Sequence, residues 1–174
     1  MSRINYDLTL IRGVVFDIDG VLSPSTMPTS PEGKPVRMAN VKDGYALQLA
    51  VKLGLHVAIL TGADCDTIKT RYESLGIHDV YTRACHKAPV LTQWMAEHDL
   101  RPEEVAYVGD DIPDYQAMTM VGLSVAPLDA AVDIKAMARY IAPVNGGYGV
   151  ARDLIEQVLR AQDLWHINDT ALIW

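Results

Sequence analysis

Asp17 and Asp19 stand two positions apart, just past the apolar run Gly13-Val14-Val15-Phe16, and a turn at Gly20 follows them. Carboxylates are costly in apolar surroundings unless they are paired or hold a cation. Two other apolar runs end in the same way. Residues 57–60 are stopped by Thr61-Gly62, and residues 105–108 by Gly109-Asp110-Asp111. Lys87 heads a helical stretch between them. Ligands of open α/β sheets collect beyond the carboxyl ends of the strands, so neighbouring strands would bring all these groups to one crevice. The result is an acid cluster with a hydroxyl and an ammonium group. Several carboxylates do not stay ionised together without compensation, and a small set of oxygen ligands suits Mg2+, which keeps waters and shares substrate phosphate. Such parts imply phosphoryl chemistry. A carboxylate beside the ion can attack phosphorus and form an aspartyl-phosphate. A second acid two residues on can protonate the leaving alkoxide and later deprotonate the attacking water. The hydroxyl, the lysine and exposed amides stabilise charge on the phosphoryl oxygens.

The frame that must position these groups is legible from patterning. Short apolar runs rich in β-branched residues, bounded by turn signals, read as buried strands of a parallel sheet. Asp43 reads as the cap of a helix carrying Tyr45, Leu47, Leu49, Ala50 and Leu53 and closing at Gly54. Further helices are predicted over 64–75, about 87–98, 112–121, 130–139 and 150–162, with strands at 80–81, 123–126 and 140–142. This alternation predicts an α/β fold, a Rossmann-like parallel sheet with right-handed crossovers and helices on both faces. Pro24, Pro28, Pro31 and Pro35 exclude helix after the first strand, so a projecting loop or irregular hairpin is expected over about 23–40. A tail, 163–174, follows the last helix.

Composition narrows the classes. A chain of 174 residues is expected to form one domain, 1–174, with a sizeable core. The net charge of −7 argues against a nucleic-acid partner. Cys65 and Cys85 are too few for a disulfide framework, and no apolar run approaches the roughly 18–20 residues of a membrane span. A cytoplasmic protein without a membrane partner is expected. The histidines read as surface or capping residues, except that His86 precedes Lys87 at the site edge.

Asp17-Ile18-Asp19-Gly20-Val21, Leu60-Thr61-Gly62, Lys87 and Gly109-Asp110-Asp111-Ile112-Pro113-Asp114 resemble the four ordered motifs of the haloacid-dehalogenase phosphatase superfamily. The resemblance implies a capless haloacid-dehalogenase fold with Asp17 as nucleophile and Mg2+ ligand. It implies Asp19 as acid/base, binding metal through its backbone carbonyl, and Asp110 as the third protein ligand. Thr61 and Lys87 would hold the phosphoryl group, with Asp111 and Asp114 supporting the ligands from behind. More narrowly, 40–45, 57–62, 105–111, 122–126 and 146–149 are similar to the 3-deoxy-D-manno-octulosonate 8-phosphate phosphatase family. That likeness implies hydrolysis of an eight-carbon 2-keto-3-deoxy sugar-acid phosphate for lipopolysaccharide synthesis. It also implies a homotetramer in which the hairpin of one subunit helps close its neighbour's site. Substrate contacts would come from Asn40, Val41, Lys42, Asp43, Gly44, Gly62, Arg71 and Lys87. Gln48, Ala63 and Tyr148 stand where the family carries arginines, and Arg71 alone survives, with Lys34 and Lys42 as further cations. A nine-carbon keto acid is therefore an alternative substrate. A catalytically silent phosphatase-like regulatory domain is an alternative of another class, against which the intact Asp17, Asp19, Lys87 and Asp110 speak. A response-regulator-like switch would not need Asp19.

Overall fold

The computed structural model describes residues 3–167 and 169–172. Among them, six parallel strands form one sheet in the order β3-β2-β1-β4-β5-β6. The strands are β1 Gly13–Phe16, β2 His56–Leu60, β3 Asp79–Tyr81, β4 Val105–Val108, β5 Leu123–Ala126 and β6 Tyr140–Ile141. The order reverses between β1 and β4, the place where an open sheet leaves a crevice beyond its strand ends. Gly13 pairs with His56 on one side and Val105 on the other, so β1 runs flush with both neighbours. All residues of β1, β4 and β5 are buried, as expected of a parallel sheet covered on both faces.

Alternate residues of β1 feed two cores. Val14 and Phe16 pack with α1 Val41–Lys52, α2 Asp66–Glu73 and α6 Val150–Ala161. Val15 packs with α3 Lys87–Glu97, α4 Tyr115–Thr119 and α5 Val132–Met137. Helix α6 shows why this layer forms. Val150, Ala151, Leu154, Ile155, Val158 and Leu159 make one buried stripe. Each large apolar side chain there contributes about 1.5–3 kcal/mol by leaving water, more than propensity gives a single turn.

Several boundaries differ from the sequence expectation. Helix α1 starts at Val41 because Asn40, not Asp43, caps it, its Oδ1 accepting from the amides of Lys42 and Asp43. Asp43 sits in the first turn of α1 and accepts instead from the backbone N–H of Arg152, at 2.7 Å, across the gap to α6. Helix α6 needs this, since its own cap position is Gly149, at φ 113, with no side chain to offer. The helices predicted over 64–75 and 130–139 are shorter, and 112–121 divides into a 3-10 turn, Ile112–Asp114, and α4. Pro113 stands in the first turn there, where its missing N–H costs nothing.

The proline-rich stretch leaves the sheet as an irregular hairpin. Thr29 and Pro35 form an isolated antiparallel bridge, with Gly33 at φ 76 in the turn between them. Two hydrogen bonds tie the foot of this arm down: Met38 N–H to Ser23 Oγ at 3.0 Å, and Asn40 Nδ2 to the Gly147 carbonyl at 3.1 Å. In the tail, the Trp165 ring lies edge-on to Tyr45 under the guanidinium of Arg152, and α7 spans Asp169–Leu172. The apolar end, Ile173-Trp174, lies outside the described residues. His98 ends α3 and hydrogen bonds Asp79 at 2.8 Å, a capping and packing role. No helix among the described residues is long and apolar enough to cross a membrane.

Replacing Asp43 by Ala removes the cap of α6 and is expected to cost about 1–2 kcal/mol in urea denaturation. Burial pushes the Asp43 carboxyl up to about 6, against the pull of the α6 amides. A raised folded pKa means that charge on this acid opposes folding. The stability of the native protein relative to Asp43→Asn therefore falls as pH rises from about 4 to about 6 and is flat above.

Candidate active site

Asp17 follows β1 directly, and its N–H donates to the Val108 carbonyl at 3.0 Å, carrying the β1–β4 pairing one residue further. The chain then turns sharply, with the amides of Val21, Leu22 and Ser23 all donating to the Ile18 carbonyl. Gly20 sits in this turn at φ 87, and a Cβ there would overlap the Asp110 carboxylate. Only glycine serves both the backbone and the close approach of Asp110. From the end of β4, the 3-10 turn folds Asp114 back beneath Asp110. Its Oδ2 accepts from the Asp110 amide at 3.2 Å, and its Oδ1 from Tyr107 Oη at 2.8 Å and Lys87 Nζ at 2.7 Å. Lys87, 5% exposed at the start of α3, also reaches Asp17 Oδ1 at 3.0 Å.

One oxygen each from Asp17, Asp110 and Asp114 lie within 4.8 Å of one another. Burial, then the charge of Asp114, raises the Asp17 pKa against the pull of Lys87. Burial, then Asp17 and Asp114, lifts Asp110 to about 7. Burial works to lower Lys87, but Asp17 and Asp114 outweigh it and hold the ammonium above its ordinary value. Tyr107 is kept neutral by burial and by Asp114. Three carboxylates against one ammonium leave an excess of two negative charges when all are ionised. An all-oxygen donor set with that excess fits a hard divalent cation.

The remaining sequence candidates fall in distinct places. Thr61 is buried at the end of β2, beside β1, its Oγ1 accepting from the Ala63 amide at 3.2 Å, and Gly62 next to it is exposed. Asp19 does not join the cluster. Its carboxylate is held by Arg37 of the arm, through Nε at 2.7 Å and Nη2 at 2.6 Å. Asp111 is exposed and caps the amide of Ile112, whereas Asp114 lies inside the cluster. Asn40 and Asp43 are occupied at the two helix starts, and Gly44 is buried behind them. Val41 and Lys42 are exposed, Lys42 lining a depression of about 410 Å3 with Tyr148, Arg152 and Arg160. Arg71 lines a cavity of about 220 Å3 with Ile18, Ser23, Arg37 and Tyr72. His86 is exposed ahead of α3. Sequence reasoning passed over Arg37 and Tyr107. Tyr107 is signalled only by a polar tip within an otherwise apolar strand, and Arg37 by nothing beyond its charge.

This sheet, with acids at the ends of β1 and β4, defines a haloacid dehalogenase-like hydrolase, and the model of that family matches residues 60–154. The 3-deoxy-D-manno-octulosonate 8-phosphate phosphatase KdsC of Yersinia pestis is 35% identical over 153 residues, 88% of this chain and 82% of the relative. A solved structure of the Yersinia pestis phosphatase superposes with a TM-score of 0.87 at 34% identity, covering 91% of this chain and 85% of the other. The Moraxella catarrhalis phosphatase, solved in complex with magnesium ion, phosphate ion and a KDO molecule, gives a TM-score of 0.85 at 28% identity over 90% of each chain. The chain belongs to the 3-deoxy-D-manno-octulosonate 8-phosphate phosphatase family.

Tyr107→Phe removes one donor from a buried carboxylate without changing shape. A loss of about 1.5–3 kcal/mol in urea denaturation is expected, the range for a hydrogen bond to a charged group.

Proposed function

We propose that this protein is a Mg2+-dependent phosphomonoesterase that hydrolyses 3-deoxy-D-manno-octulosonate 8-phosphate to the free sugar acid and phosphate. The observation that carries the reading is a buried carboxylate, Asp17, held by Lys87 within an oxygen cluster of excess negative charge. The relatives' activity supports the substrate. The carboxylates of Asp17 and Asp110 would hold the ion together with the backbone carbonyl of Asp19, while Asp114 ties Lys87 and the Asp110 amide in place. Bound there, Mg2+ supplies charge neutralisation and orients the phosphate.

Asp17 attacks phosphorus, and Asp19 gives a proton to the departing sugar alkoxide. In the second half Asp19 takes a proton from the water that cleaves the aspartyl-phosphate. Lys87 and Thr61 donate to the phosphoryl oxygens. Arg71, which lines the cavity beside the turn, would take the substrate carboxylate, with Gly62 and Lys42 as further substrate contacts. Product release would feed lipopolysaccharide precursor synthesis. Free Cys65 and Cys85 suit a cytoplasmic setting. Exposed Val36 and Met38 on the arm suit a homotetramer whose arms close neighbouring sites. Gln48, Ala63 and Tyr148 favour, as a second reading, a nine-carbon 2-keto-3-deoxy acid 9-phosphate. The intact cluster weighs against a silent regulatory domain. We treat the chain as a single catalytic domain.

Phosphate release with Mg2+ from a panel of eight- and nine-carbon keto-acid phosphates and simple hexose phosphates is expected to favour the eight-carbon acid. Equal rates across the panel would end the substrate assignment. Asp17→Asn should abolish turnover while leaving the fold intact by circular dichroism, and retained turnover would end the mechanism. Mg2+ at a hundredfold excess over its Kd should stabilise the native protein by about 2.7 kcal/mol, a gain that Asp110→Asn should lose. Sedimentation as a monomer at micromolar concentration would contradict the tetramer.

A further inference from the structure

Arg37 engages both oxygens of Asp19 in a bidentate fork, with Nε and Nη2 at 2.7 and 2.6 Å. The guanidinium is largely enclosed, at 17% side-chain exposure, while the Asp19 side chain is 39% exposed. The same guanidinium lines the 220 Å3 cavity, with Arg71 as the second cation. Ile18 and Ser23, on either side of the turn that carries Asp19, line the same cavity. Arg71 has no carboxylate partner among the described residues.

This arrangement conflicts with the work assigned to Asp19. A carboxyl that protonates a leaving alkoxide must present an O–H, and a guanidinium has only donors to offer it. As the fork stands, both oxygens of Asp19 are committed as acceptors. A ligand carboxylate matches the guanidinium fork as well as Asp19 does. The cavity places a second, unpaired guanidinium where such a ligand would also be bound. Arg37 and Arg71 are the two cations that line this cavity.

We propose that Arg37 is a two-position clasp, which holds Asp19 in the free enzyme and passes to the carboxylate of a 2-keto sugar-acid phosphate bound with Arg71 in this cavity, freeing Asp19. The proposal rests on the phosphatase reading. The freed Asp19 carboxylate takes a proton from solvent, gives it to the leaving alkoxide oxygen, takes one from the attacking water, and returns it to solvent when the fork re-forms, so the acid is unchanged after a full cycle. One ion pair replaces another, and the exchange is driven by the substrate's differential affinity for the open state. A phosphate ester without a carboxylate leaves the clasp shut. Discrimination then falls on the chemical step as well as on binding.

The test compares 3-deoxy-D-manno-octulosonate 8-phosphate with a pentose 5-phosphate, which offers a primary alkoxide and no carboxylate. Arg37→Gln is expected to lower kcat/KM for the sugar acid about 10- to 100-fold, mainly through KM, and to raise kcat for the pentose phosphate. Arg71→Gln should lower the sugar-acid value without raising the pentose-phosphate one. Arg37→Lys keeps the charge and loses the fork, and should show the same opposite signs if Arg37→Gln does not fold by circular dichroism. A fall by one common factor for both substrates would make Arg37 a fixed support of Asp19 and overturn the clasp, as would no effect on either. A native enzyme that releases phosphate from neither ester would remove the phosphatase reading, and the clasp with it.

Discussion

Like charges brought together at the ends of two adjacent parallel strands are the constraint on which the rest of this structure depends. Asp17 and Asp110 are side by side because β1 and β4 pair flush, and Asp114 is folded in beneath them. Burial and mutual repulsion make that grouping unfavourable on its own. Lys87, the hydroxyl of Tyr107 and the Asp110 amide offset part of the cost through Asp114, and a divalent cation would offset the remainder. The sheet, its two apolar cores and the glycine turn at Gly20 can be understood as the means of holding this grouping closed. The apolar burial that stabilises the molecule runs up to the acids through Phe16, Ile18 and Val108, and the core sustains a site that is unfavourable in isolation.

Much of this was legible in the chain. An apolar run that ends in a polar group is a pattern that elementary solvation makes conspicuous, and Asp17, Thr61 and Asp110 stand out for that reason, with Lys87 at a helix start beside them. The strand order was legible only as a class, since periodicity reports burial and not neighbours. What escaped were the partners. Asp43 has the look of a helix cap and is one, but for a helix whose bonded amide, that of Arg152, lies 109 residues away. Arg37 meets Asp19 across 18 residues of irregular chain whose path no hydrophobic period describes. The family resemblance makes Asp114 a supporting residue, and the 3-10 turn Ile112–Asp114 sets it inside the cluster. In each case the residue type announced its chemistry while packing chose its partner.

The arm and the sheet meet at few points. Ser23 and Asn40 fix the arm's foot, and between them Arg37 grips Asp19 in the turn after β1. Asp17 and Asp110 follow strand ends, where a shift of one position would disturb the core. The stretch 25–36 carries no such burden, being exposed in all but Met27 and Ser30, which are half-buried. Inheritance can therefore rewrite this stretch at little risk to the machinery that breaks the ester. Two lineages of this fold could come to prefer different sugar acids by drift in a dozen surface residues, with every group that handles phosphorus left as it was.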